Sequence, residues 1–91
     1  MAQKITNNNV NYPVEIFGDG YTTVFIFKDT DGFWFWQFSD IDAKEYFKRH
    51  GIDFKSWSQD MVEMFCDDSE NQTLGCSGGS FETIEELKSE F

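Results

Sequence analysis

Histidine occurs once, proline once and cysteine twice in the 91 residues. A single histidine leaves serine- or cysteine-based nucleophilic catalysis almost without a base. That residue, His50, stands just before Gly51 at the expected end of a helix. There the ring meets terminal carbonyls, and capping outweighs catalysis. Cys66 and Cys76 are separated by nine residues. Zinc sites use closer pairs and usually four ligands, so two cysteines and one distant histidine are expected to hold no metal. No apolar run approaches the ~20 residues of a bilayer span. Residues 1–11 lack the apolar stretch of a signal peptide. A cytoplasmic location is expected, with both thiols reduced and packed or shielded from solvent. Positive charge is also scarce: 7 Lys and Arg face 17 Asp and Glu, a formal net charge of −10. Such a surface repels phosphate backbones and anionic membranes, which argues against direct nucleic-acid binding.

The motifs that would signal chemistry are missing as well. Asp29-Thr30-Asp31-Gly32 opens like a calcium loop but lacks the third acid and the downstream bidentate glutamate, and strands flank it instead of helices. Gly75-Cys76-Ser77-Gly78-Gly79 is glycine-rich without the lysine of a phosphate loop. Carboxylates are plentiful, but nothing marks a pair as the acid and base of a glycosidase. The chain is expected to be no enzyme and to use no cofactor.

What the sequence does have is aromatic side chain: 11 Phe and 3 Trp. Burial of each contributes roughly 1.5–3 kcal/mol, enough to build a core without staples. They concentrate in residues 22–38, TTVFIFKDTDGFWFWQF, two β-prone runs around a turn. Asp29 first and Gly32 fourth suit a type I turn, with Gly32 supplying the positive φ of a bulge. The bulged register sets Phe27 opposite Phe35 and Ile26 opposite Trp36. One face then carries Phe25, Phe27, Phe33 and Phe35; the other carries Val24, Ile26, Trp34, Trp36 and Phe38. A bulge-free register would place Trp34 and Trp36 opposite Phe27 and Phe25. Neither face is polar, so helices cover one, and the second is covered too or is a docking surface.

The remaining elements follow in order. Residues 1–11 are expected to form a flexible arm, and 12–91 a single α+β domain. Residues 12–17 read as an edge strand, because Pro13 lacks an N–H. Gly18-Asp19-Gly20 turns the chain into the hairpin, giving a three-stranded antiparallel meander. Ser39 or Asp40 starts a helix to about His50, with Ala43, Tyr46, Phe47 and His50 facing inward. Gly51 and Ile52 supply a Schellman ending. Asp53 is expected to cap a second helix to about Cys66, stapled by Ile52 on Trp57. Residues 67–71 form an acidic turn, 72–77 a short fourth strand, and 77–80 a flexible break. Thr83 and Glu86 form a capping box for a last helix with Ile84, Leu87 and Phe91 on its apolar stripe. The fold class is a three- to four-stranded antiparallel sheet packed with two to three helices in two layers. Phe25, Phe27, Phe35, Trp36, Phe47, Trp57, Met61 and Phe65 are the expected core.

The charge is unevenly spread. Residues 1–56 hold 8 acids and 6 bases; residues 57–91 hold 9 acids and only Lys88. Asp60, Glu63, Asp67, Asp68, Glu70, Glu82, Glu85, Glu86 and Glu90 are dispersed along two helices and a turn, an array that can imitate the spaced phosphates of a duplex. These nine are the candidate partner-binding residues. In its short single domain, strong negative charge, abundant aromatics and lack of an enzyme motif, the chain resembles the small acidic inhibitors of phages and mobile elements, among them anti-CRISPR and other DNA-mimic proteins. That resemblance implies a basic partner, a nuclease or nucleic-acid-binding complex in the host cytoplasm, and a monomer or weak homodimer. Toxin-neutralising immunity proteins share the profile. Two other readings stand beside it: charge that serves only solubility, and an accessory module that assembles through an apolar sheet face.

Overall fold

Thr22–Asp29 (β2) and Gly32–Ser39 (β3) form the expected hairpin, at the centre of a four-stranded antiparallel sheet of order β1-β2-β3-β4. The outer strands are Glu15–Gly18 (β1) and Cys76–Phe81 (β4). Three helices, Asp40–Arg49 (α1), Gln59–Asp67 (α2) and Ile84–Lys88 (α3), complete an α+β domain. The computed structural model describes residues 12–91; the proposed arm, residues 1–11, lies outside the described residues.

The hairpin takes the bulge-free register. Asp29 pairs with Gly32 across a two-residue loop, Phe27 with Trp34 and Phe25 with Trp36. Asp29 Oδ1 accepts the Asp31 N–H at 2.8 Å and holds the loop tight. Gly32 does have positive φ, +132°, but a different need keeps it glycine: a Cβ there would overlap the carbonyl oxygen of Phe81 in the next segment. The register corrects the composition of both faces. Phe25 and Phe27 share theirs with Trp34, Trp36 and Phe38, and Phe27 stacks on Trp34 with centroids 4.2 Å apart. Cross-strand aromatic pairs of this kind stabilise a sheet. Phe33 and Phe35 move to the face of Val24 and Ile26.

Helices α1 and α2 cover the first face. Phe25, Trp36, Phe38, Tyr46, Phe47, Val62 and Phe65 form its buried cluster, with Trp57 and Met61 packed against it. Phe35, expected in this core, is half-buried on the second face. That face is partly covered by α3, whose Leu87 is fully buried against Val24 and Ile26. Phe91 then meets Phe35 edge-on at 4.9 Å. Both sheet faces therefore carry helix.

Local signals place α1 well. Ser39 Oγ accepts the Ile41 N–H at 3.1 Å, while Asp40 instead anchors the buried Thr23 hydroxyl at 2.6 Å. The helix ends in a complete Schellman motif, with Gly51 N bonded to Lys48 O and Ile52 N to Phe47 O. His50 is exposed rather than inward; its Nδ1 lies 3.4 Å from Tyr46 O, at the helix end. The second helix corrects the expectation more strongly. Ser58, not Asp53, is its cap, accepting the Met61 N–H at 3.2 Å. Residues 53–58 are weak helix formers, and packing decides their path. Phe54 stacks on Phe47 at 5.7 Å, and Trp57 contacts Phe25, Phe38, Phe47 and Phe65.

The fourth strand lies in the segment expected as a break. Residues 72–77 mostly belong to a 3-10 turn, Ser69–Thr73, and its exit; β4 runs over Cys76–Phe81. Gly78 and Gly79 are there for fit. A Cβ on Gly78 would come within 2.9 Å of the Phe35 ring, and one on Gly79 within 2.8 Å of Trp34 Cβ. Only glycine lets this strand lie against such large neighbours. Cys66 is buried as expected, but Cys76, at the start of β4, is exposed; neither forms a disulfide among the described residues.

Candidate functional site

The acidic residues divide between the two faces of the sheet. Asp60, Glu63 and Asp67 belong to α2, Asp68 caps the 3-10 turn that follows and Glu70 lies in it, all on the α1–α2 side. Glu82 precedes α3, Glu85 and Glu86 form its first turn, and Glu90 follows it, on the opposite side. The structure thus brings the nine together as two banks. The amphipathic spacing that buries Val62, Phe65 and Cys66 leaves Asp60 exposed and Glu63 half-exposed. The same logic at Leu87 turns Glu85 and Glu86 outward.

Several of these carboxylates also hold the fold. Tyr12 donates its hydroxyl to Asp67, 2.8 Å from Oδ2. That bond, with some loss of hydration, pushes the phenol up to about 12. Tyr46, 1% exposed, donates to Asp68 Oδ2 at 2.9 Å; burial first and this bond second push it up to about 12. Asp68 in turn accepts the Glu70 N–H at 3.1 Å, and that bond, followed by the Tyr46 hydroxyl, holds its carboxyl below the ordinary range. Arg49 pairs with Glu70 at 3.1 Å, Gln59 donates to Glu63 at 2.8 Å, and Glu86 accepts the Glu82 N–H at 2.9 Å. Sequence reasoning missed the tyrosine anchors. Their partners lie 55 and 22 residues away along the chain, so no local spacing could have signalled them.

His50, Asp68 and Glu70 offer ligand atoms within 4.8 Å of one another. Each has a structural role already: His50 at the end of α1, Asp68 under Tyr46, Glu70 against Arg49. A depression of about 460 Å³ beside the end of α1 is lined by Lys44, Lys48, Ile52, Asp53 and Phe54. Its titratable groups are amines and one carboxylate, without a histidine or thiol. Among the described residues no helix is long and apolar enough to cross a membrane.

The geometry therefore presents two banks of carboxylate on an aromatic core that α1 and α2 cover on one face and α3 covers in part on the other. Compared with protein-family models, with curated proteins and with solved structures, the chain matches none.

Proposed function

We propose that this chain is a non-enzymatic acidic binding protein that inhibits a basic, nucleic-acid-handling partner by occupying its nucleic-acid site, in the manner of anti-CRISPR and other DNA-mimic inhibitors. The observation that carries the reading is the charge of residues 57–91, 9 acids against one lysine, set on and beside α2, the 3-10 turn and α3. Carboxylates spaced along rigid elements attract a basic channel over long range and speed encounter. The inhibitor would act in the cytoplasm, where such a partner works. The assembly reading needs an open apolar sheet face. With α1 and α2 on one side and α3 on the other, it has less to rest on.

The test uses four exposed acids whose side chains anchor no tyrosine, cation or backbone N–H: Asp60→Lys, Glu82→Lys, Glu85→Lys and Glu90→Lys combined. Parent and variant are each used to capture proteins from host lysate. The parent is expected to retain a basic nucleic-acid-binding protein, to release it to added duplex DNA or to salt, and to lose it with the four reversals. A partner held equally by both proteins and indifferent to nucleic acid would overturn the proposal. Displacement of a nuclease toxin whose DNA site stays open would favour an immunity protein instead.

A further inference from the structure

The two edges of the sheet are guarded differently. Exposed edge strands carry unpaired N–H and C=O groups, and proteins ordinarily blunt them with proline, charge or short length. Edge strand β1 has all three: four residues, Pro13 just before it, and Glu15, whose carboxylate pairs with Lys88. Strand β4 has none. From Gln72 to Phe81 there is no proline and no charged side chain, and Cys76, Ser77, Gly79 and Ser80 are exposed. Among the described residues, β4 has a backbone partner only in β3. At Gly78 and Gly79 no side chain stands in the way of an approaching backbone.

Charge indicates what can approach. Asp67, Asp68 and Glu70 precede β4 in the chain, and Glu82, Glu85 and Glu86 follow it. The first group lies on the α1–α2 face and the second on the α3 face, so the bare edge separates two acidic banks. A second copy would bring the same carboxylates and another −10 of charge. A segment rich in lysine or arginine meets the opposite sign on both sides.

We propose that β4 accepts an extended, basic segment of the partner as a fifth strand. Main-chain hydrogen bonds to the edge would hold the segment, and its alternating cationic side chains would reach the two acidic banks. The sign of the partner's charge rests on the acidic-binding reading above; the docking edge does not.

The probe is a short, end-blocked peptide of repeated Lys-Lys-Val-Val, which sets lysine on both faces of a strand, compared with the same peptide N-methylated at every backbone nitrogen, each added to the full chain at low salt. The unmodified peptide is expected to bind about tenfold more tightly, because methylation removes the main-chain donors but keeps the charge. Amide exchange of residues 76–81 is expected to slow by a similar factor on binding. A Ser77→Lys, Ser80→Lys variant, which guards the edge, should lose the preference for the unmodified peptide; should it fail to fold, exchange in the parent decides. Equal affinity of the two peptides, or binding without protection of residues 76–81, overturns the edge as the docking site and leaves the acidic-binding reading standing. No binding of either peptide overturns both. Protection of residues 76–81 that rises with protein concentration and without peptide would assign the edge to a second copy and overturn the proposal.

Discussion

At Tyr46 a phenol ring 1% exposed keeps its hydroxyl satisfied through the Asp68 carboxylate, and Tyr12 does the same at the surface with Asp67. Both phenols are raised from 10.0 to about 12. Their stabilising effect is complete below pH 10. It fades above that as the unfolded chain ionises first, and is gone once the pH passes about 12. Asp68 works in the other direction: its lowered carboxyl stabilises the fold above the ordinary value of 3.8, and the effect is lost as the pH falls through its folded value. Tyr46→Phe is expected to cost about 1.5–3 kcal/mol, as loss of a hydrogen bond to a charged group does. It should also flatten the alkaline decline in stability, read by urea denaturation at pH 8 and pH 11. Phe27→Ala should cost about 3–5 kcal/mol by the same assay; a loss below about 1 would place that ring outside the core. Phe25, Phe27, Phe47 and Phe65 were legible as core because each sits on a strongly periodic strand or helix. Which aromatics share a face was not, because the turn permits two registers that put different rings together.

Among the elements, the caps separate what sequence reveals from what it hides. Ser39 and Thr83 are followed directly by their helices, and both hold as caps, with Thr83 Oγ1 3.0 Å from the Glu86 N–H. Asp53 offers the same chemistry but caps neither helix; it pairs with the exposed Lys55, 3.9 Å away. Ser58→Ala is accordingly expected to lower stability by about 1 kcal/mol. Asp53→Ala should change it by no more than a few tenths, since exposed ion pairs contribute little. Equal effects in thermal denaturation would restore the longer helix. The displaced fourth strand has a similar cause. Propensity reads glycine and serine as a break, yet Gly78 and Gly79 pair because the neighbouring Phe35 and Trp34 leave no room for anything larger. A close approach between distant segments leaves no trace in local composition. The edge that β4 presents was therefore hidden from the sequence along with the strand.

For the molecule as a whole, the α+β class and the acidic residues were readable from pattern and charge alone. Their division between two faces was not, because it depends on α3 crossing behind the sheet. A net charge of −10 on one small domain also repels itself. Raising sodium chloride from about 0.02 to 0.5 M should increase the melting temperature by screening that repulsion; a fall would mean that attractive pairs such as Arg49–Glu70 outweigh it. Partial cover of the second face by the last helix has a consequence for synthesis. Ribosomes complete β3 at Ser39 well before they reach Ile84, and at 5–20 residues per second the interval lasts roughly 2–9 s. Throughout it, Val24, Ile26, Phe33 and Phe35 have no helix over them. A chain ended at Glu82 should bind a hydrophobic dye that the full chain excludes. In the cell, that interval is when a chaperone would have its opportunity and a nascent chain its greatest exposure to misassembly.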